Sequence, residues 1–517
     1  MDRLAALVWP ATRRPPSVVA VVSTSTPSVV VIGAGFGGIG VACVLRRAGC
    51  TDVTILEKAA DLGGVWRDNT YPGAACDVPS SLYSYSFAPN RTWPRRYSEQ
   101  PDILAYLRRT AAAEGVLDRV RFGAEVTGAA FDESRGVWRV DVAGGGTVTA
   151  DVLIPAVGQL SRPVVPDLPG AGTFTGPAFH SARWDHDVDL TGKRVAVIGT
   201  GASAIQFVPR IQPSAAHVTV FQRSAPYVVP KPDRAYRPWH HRMFTALPAS
   251  QQVGRGATFG IGELLTTALT AWLPLGRLLD LIFRLHLRVQ VPDAGLRTRL
   301  LPDYRIGCKR VLFSNDWYPA LNQANVDVVT DRITEVTRDG VRTADGRLHE
   351  ADVLIYGTGF TATDFLAPMA IRGLAGRDLN EEWADGARAH LGITVPGFPN
   401  MFLVYGPNTN LGGNSIIAMM EGQFGYIRDL VRLLARHPGS YVDVKRTAAD
   451  RFDTEMRDRL GRSVWAGCDS WYREENGRIT TNWPGLVREY RKRTARLDVA
   501  EYAVVGTGSG RERADAL

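Results

Sequence analysis

Hydrophobic residues in this chain fall into short β-branched runs, each closed by glycine and followed by a stretch with helical spacing. Ser28–Val29–Val30–Val31–Ile32 stops at Gly33–Ala34–Gly35–Phe36–Gly37–Gly38, after which Ile39 to Ala48 reads as a helix and Val53–Thr54–Ile55–Leu56 as a second strand. The same order returns with Arg194–Val195–Ala196–Val197–Ile198, the turn Gly199–Thr200–Gly201–Ala202–Ser203–Ala204, and the strand Val218–Thr219–Val220–Phe221. Between these units, Ile103 to Ala113 is an amphipathic helix. Val120 to Val152 alternates as short strands around Gly144–Gly145–Gly146, as a small antiparallel sheet would. Two return strands, Asp151–Ile154 and Asp352–Ile355, end in Pro155–Gly158 and Tyr356–Phe360. The pattern predicts an α/β protein with two Rossmann-like dinucleotide-binding domains.

Residues Tyr236 to Val291 break this rhythm. Ala257 to Leu275 approaches membrane-spanning length with a single acid, Glu263, but Pro274 and several threonines dilute it, and Arg277, Asp280, Arg284 and Arg288 follow on one helical stripe. A helical insertion is therefore expected rather than a transmembrane span. A lid over an apolar pocket, or contact of 257–288 with a membrane surface, stays open.

Each turn places glycines where a dinucleotide needs them: Gly33 and Gly199 for the tight turn, Gly35 and Gly201 for approach to a pyrophosphate, Gly38 or its replacement Ala204 for close helix packing. Ser203 stands beside the second turn. The second strands end differently. Glu57, followed by Lys58, offers a carboxylate to ribose hydroxyls, whereas Arg223–Ser224 offers a guanidinium that can clamp a 2′-phosphate. The first site reads as FAD and the second as NADPH.

Length and charge change the picture little. A chain of 517 residues implies more than one core, and the formal charge of +8 comes from scattered arginines with no basic run interleaved with aromatics, so nucleic acid is not an expected partner. Cys43, Cys50, Cys76, Cys308 and Cys468 show no metal-like pairing and are expected as reduced thiols of a cytoplasmic protein. The apolar patch Val18–Val22 follows Arg13 and Arg14, is too short to span a bilayer, and reads as part of an irregular N-terminal extension, with a degenerate export signal as the alternative.

Between the two turns, after Pro163, Pro166 and Pro169, lies Phe174–Thr175–Gly176–Pro177–Ala178–Phe179–His180–Ser181–Ala182–Arg183–Trp184–Asp185, which reads as an ordered linker rather than the middle of a helix or strand. Its Phe174, Gly176, His180, Trp184 and Asp185 fill every defined position of a fingerprint of the flavin-dependent, type I Baeyer–Villiger monooxygenases, which this chain resembles. Gly63–Gly64–Val65–Trp66, Tyr71–Pro72–Gly73 and Asp77 fill a second pattern similar to that family, and Tyr83 and Tyr97 continue it. The resemblance runs from about Val29 to about Tyr502.

The resemblance implies an enzyme that uses NADPH and O2 to insert one oxygen atom beside a ketone carbonyl, giving an ester or lactone through a C4a-peroxyflavin. It implies that Arg310 is the catalytic cation and Asp77 its partner, that Lys309 helps hold the NADPH phosphate, and that Trp471 belongs to a segment approaching bound NADP. Gly64, Trp66 and Tyr83 are implied on the flavin side, with Val126 near the adenine end and Gly406–Asn410 along the flavin ring. His180 couples the domains. A flavin domain at 28–160 and 355–502, an NADPH domain at 161–354 with its insertion at about 236–300, and a disordered tail at 503–517 are expected. Oxygenation of nitrogen or sulfur, and a non-catalytic redox sensor, are the competing readings; the Trp184–Asp185 ending and the presence of Arg310 and Asp77 count against them. No metal site is expected, and the sequence does not specify the ketone or the oligomeric state.

Overall fold

The computed structural model describes residues 26–270 and 273–507. The Val18–Val22 patch lies outside them, as does the tail beyond 507.

The first valine run forms β1 (Val29–Ile32), followed by α1 (Phe36–Arg47) and β2 (Val53–Leu56). After α2 (Gln100–Ala113) come β3 (Val120–Arg121), β4 (Val126–Asp132), β5 (Val137–Val142), β6 (Gly146–Ala150) and β7 (Val152–Pro155). A parallel sheet has the order β3-β2-β1-β7. Its central strands are covered on both faces, which is why they read as unbroken apolar runs rather than alternating ones. α1 lies tight against β1 because residue 38 is glycine: a β-carbon there would collide with the carbonyl oxygen of Gly33.

The linker corrects the sequence expectation. Ala178–His180 is a strand, β8, followed by β9 (Arg194–Ile198), α3 (Ala204–Ile211), β10 (His217–Phe221) and β11 (Val228–Val229). Gly176 lies where a β-carbon would strike the Asp352 carbonyl, and the Pro177 carbonyl accepts the Leu354 amide at 2.9 Å, so the linker is drawn to a sheet edge despite its prolines.

Among the described residues the predicted insertion forms four helices, α4 (Pro238–Ala246), α5 (Pro248–Thr270), α6 (Leu273–Gln290) and α7 (Ala294–Arg299). One side of α6 buries Phe283 and Leu287 in the core beneath the second sheet. No described helix is long and apolar enough to cross a membrane. The chain then returns through β12 (Leu312–Phe313), β13 (Val326–Val329), a small antiparallel sheet of β14 (Ile333–Thr337), β15 (Gly340–Thr343) and β16 (Leu348–Glu350), and β17 (Val353–Tyr356). The second parallel sheet has the order β13-β10-β9-β17-β8.

Beyond it, β18 (Ala370–Arg372) adds to β4 of the antiparallel sheet, α8 (Ile416–Ala435) shares the first core with α1, and β19 (Ser440–Val444) pairs antiparallel with β20 (Tyr502–Gly506). The expected tail from 503 is thus corrected. Residues 503–506 are ordered by the ladder that β19 offers, a long-range pairing that local composition does not encode.

Candidate active site

A cavity of about 1980 Å³ runs from the turn after β1 to the turn after β9. Ordinary small-ligand pockets occupy about 300–1,000 Å³, so this one has room for more than a single small molecule. Gly33, Gly35, Glu57, Lys58, Gly64, Trp66, Tyr83 and Val126 line its first end; Gly199, Gly201, Ser203, Arg223 and Ser224 line the other. Gly38 and Ala204 do not line it. They sit behind the turns as packing contacts, which is the role their position in the pattern assigns them.

Glu57 is 4% exposed at the end of β2. Its Oε2 accepts the Ala34 amide at 2.8 Å, and its Oε1 accepts the Ala59 amide at 3.0 Å and Arg67 Nη1 at 2.9 Å. The carboxylate therefore fixes the glycine turn and retains lone pairs for hydroxyl donors in the cavity. Trp66 Nε1 donates to the Tyr83 hydroxyl at 3.0 Å, and burial pushes that phenol well above its ordinary range, so it stays protonated.

At the other end, Lys309 Nζ donates to Ser224 Oγ at 3.0 Å and lies 4.6 Å over the Tyr304 ring. Burial, then the positive charge of Arg223, lower its pKa. Two cations held close enough to disfavour each other form a place suited to a dianion.

Between the ends, Arg310 meets Asp77. Nη2 and Nε both donate to Asp77 Oδ2, at 2.6 and 3.1 Å, leaving Nη1 outside the pair. Burial alone would raise the Asp77 carboxyl, but the Arg310 guanidinium, helped by Lys231, outweighs it and holds the group below the usual carboxylate range. Reciprocally, Asp77 raises Arg310 further above its already high value. The result is a fixed cation whose orientation is set by one partly buried carboxylate, in a cavity wall reached from both turns. Such a group stabilises anionic oxygen.

Residues 30–256 match the family model described as pyridine nucleotide-disulphide oxidoreductase. A Baeyer–Villiger monooxygenase of Streptomyces coelicolor is 47% identical over 92% of this chain and 92% of its own length. The chain belongs to the Baeyer–Villiger monooxygenases. Among solved structures, an oxidized steroid monooxygenase bound to NADP superposes with a TM-score of 0.83 at 31% identity, covering 93% of this chain and all of the other. OTEMO in complex with FAD and NADP gives 0.82 at 29%, over 93% and 100%. This monooxygenase accordingly uses FAD and NADPH, and the cavity fits that pair: a glycine turn with an acid at one end, and a glycine turn with two cations at the other.

The fingerprint residues of the monooxygenase do not line the cavity. Phe174 packs on the face of the second sheet opposite Phe283 and Leu287, and Trp184 lies 5.3 Å from both Phe179 and Phe207. Asp185 accepts the Asp187 amide at 3.0 Å in an exposed turn. His180 is buried, its Nδ1 accepts the Ala182 amide at 3.0 Å, and burial lowers its pKa. Its ring lies 5.7 Å from Phe360, which does line the cavity, so the linker reaches the site at one remove. Trp471 lines the cavity at 39% exposure. Of the expected flavin loop Gly406–Asn410, only Asn410 lines it, joined by Leu411 to Gly413 just beyond, while Gly406 to Thr409 do not and Asn408 Nδ2 donates to the carbonyls of Ile479 and Asn482.

One further feature was not anticipated, and a second matches one of the readings left open for the insertion. Cys308 and Cys468 form a disulfide with Cα atoms 6.2 Å apart, correcting the expectation of five reduced thiols; the partners are 160 residues apart, a pairing no spacing rule identifies. The bond ties the segment bearing Lys309 and Arg310 to the one bearing Trp471. In addition, Thr258, Ile261 and Leu265 of α5, with Leu279 and Ile282 of α6, form an apolar wall of the cavity. The sequence signal for that wall was the apolar spacing of 257–288, which also fitted a core helix pair.

Proposed function

We propose that the monooxygenase converts an apolar ketone into an ester or lactone at the Arg310–Asp77 pair, between the two dinucleotide sites. When bound, FAD and NADPH supply hydride transfer and oxygen activation. The chain's own task is to hold the ketone against its apolar wall, exclude water, and stabilise the negative charge that develops on oxygen. Arg310 performs the last task, and Asp77 keeps its guanidinium plane oriented. Arg223 and Lys309 take the 2′-phosphate of NADPH. Glu57 takes a ribose of FAD, and the turns at Gly33–Gly38 and Gly199–Ala204 take the pyrophosphates.

Residues 28–160 with 355–502 form the flavin unit and 161–354 the NADPH unit, the second boundary being better drawn after Tyr356 because β17 is one piece. His180 couples them through Phe360.

The observation that carries this reading is the convergence of two Arg310 donors, Nε and Nη2, on Asp77 in the wall of the shared cavity. Its test is product analysis on Arg310→Ala and Arg310→Lys with FAD bound. Ester formation should fall by about 10²–10³ in the Ala variant, the usual cost of removing one preorganised oxyanion stabiliser. The Lys variant, with charge but no planar fork, should fall less. Ester formed at the wild-type rate by FAD-loaded Arg310→Ala would overturn the assignment.

A further inference from the structure

The insertion is apolar on two sides. The inner side of α6 is buried in the core through Phe283 and Leu287, yet its outer side carries Leu278, Leu281, Ile282, Leu285 and Val289, at helical intervals and between 48% and 76% exposed. Beside it α5 exposes Val253, Ile261 and Leu264 at 71%, 54% and 57%. A helix that only met water on that side would carry polar residues there.

The charged residues of α6 are three arginines and one acid. Arg277, Arg284 and Arg288 are exposed on α6. The single acid of that helix, Asp280, is engaged by Arg284 Nε at 2.7 Å and by the Tyr227 hydroxyl at 2.9 Å. The apolar face is also continuous with the site: Ile261 and Ile282 are exposed on it and line the cavity as well.

We propose that the outer face of α5 and α6 docks on an anionic lipid surface, so that the cavity mouth opens towards the bilayer and receives apolar ketones from it. Delivery of ketones rests on the function proposed above; docking does not. An apolar stripe flanked by arginines is the pattern of a helix that lies in the headgroup region, and the lack of a spanning helix among the described residues agrees with shallow contact. A second copy of the chain is the poorer occupant. A two-fold contact through this face would bring Arg277, Arg284 and Arg288 towards their own images, with the one acid of the helix already engaged.

The test is co-sedimentation of the full-length, FAD-loaded protein with vesicles of phosphatidylcholine alone or mixed with phosphatidylglycerol. Two variants accompany it, Leu281→Asp/Leu285→Asp and Arg277→Gln/Arg284→Gln/Arg288→Gln. None of these residues lines the cavity, so turnover of a water-soluble ketone should be unchanged. Wild-type protein should partition at least about tenfold more strongly onto the phosphatidylglycerol vesicles, and each variant should lose about tenfold or more of that binding. Protein that stays in solution with both vesicle types would overturn the proposal, as would variants that sediment like wild type. A dimer in gel filtration that Leu281→Asp/Leu285→Asp dissociates, without vesicle binding, would show the face to be a self-association surface. If the leucine variant loses FAD, the arginine variant decides. Vesicle binding by an enzyme inactive on every ketone would uphold docking and overturn the ketone reading.

Discussion

Removing Arg223 should change the choice between NADPH and NADH far more than it changes turnover. Arg223 is exposed at the end of β10, and Lys309 holds Ser224 beside it at 3.0 Å. A hydrogen bond to a charged group contributes about 1.5–3 kcal/mol, and solvent screening at an exposed side chain brings the figure down to about 1–2 kcal/mol. With about 1.4 kcal/mol per factor of ten, Arg223→Ala should lower kcat/KM for NADPH by roughly 5–30-fold and for NADH by less than about twofold. A second readout follows from the neighbouring lysine. Burial and then Arg223 hold Lys309 below the ordinary lysine value of 10.5. Deleting Arg223 removes the second cause, so Lys309 should keep its proton to higher pH and the alkaline limb of the NADPH profile should move upward. Steady-state kinetics with both nucleotides across pH measures both effects. Equal loss with NADH and NADPH, or an alkaline limb that moves downward, would refute the phosphate-clamp reasoning.

The lowered pKa of Asp77 means that its contribution to stability is complete above the ordinary value of 3.8 and is lost as pH falls through the lower folded value. Asp77→Asn should therefore reduce thermal stability at neutral pH. A partly buried pair suggests about 1–3 kcal/mol, between the exposed and fully buried cases, and the gap to wild type in melting scans should close as pH falls below 3.8. Peptide mapping without reductant should recover Cys308 joined to Cys468. The buried Cys43, Cys50 and Cys76 should resist alkylation in the native protein at neutral pH, because burial raises all three thiols, Cys43 to about 12 and Cys50 to about 11.

What could be read from the sequence was short in range. A strand, a glycine turn and a helix occupy fewer than about twenty neighbouring residues, and their backbone requirements are local, so both nucleotide turns and the contrast between Glu57 and Arg223 were visible at once. Resemblance then pointed to Asp77 and Arg310. Only the tertiary structure decided that Arg310 directs two donors to one oxygen of Asp77, 233 residues away in sequence. It also decided that Cys308 and Cys468 are joined, that Ala178–His180 completes a sheet edge, and that residues 503–506 pair with β19. Each depends on partners distant in sequence, and an isolated segment carries no record of the partner that will satisfy its backbone or oppose its charge. The insertion shows the same limit. Its apolar spacing was plain in the sequence, but a helix pattern does not say which side is covered, and only packing assigned Phe283 and Leu287 to the core, Ile261 and Ile282 to the cavity, and Leu281 and Leu285 to the outside.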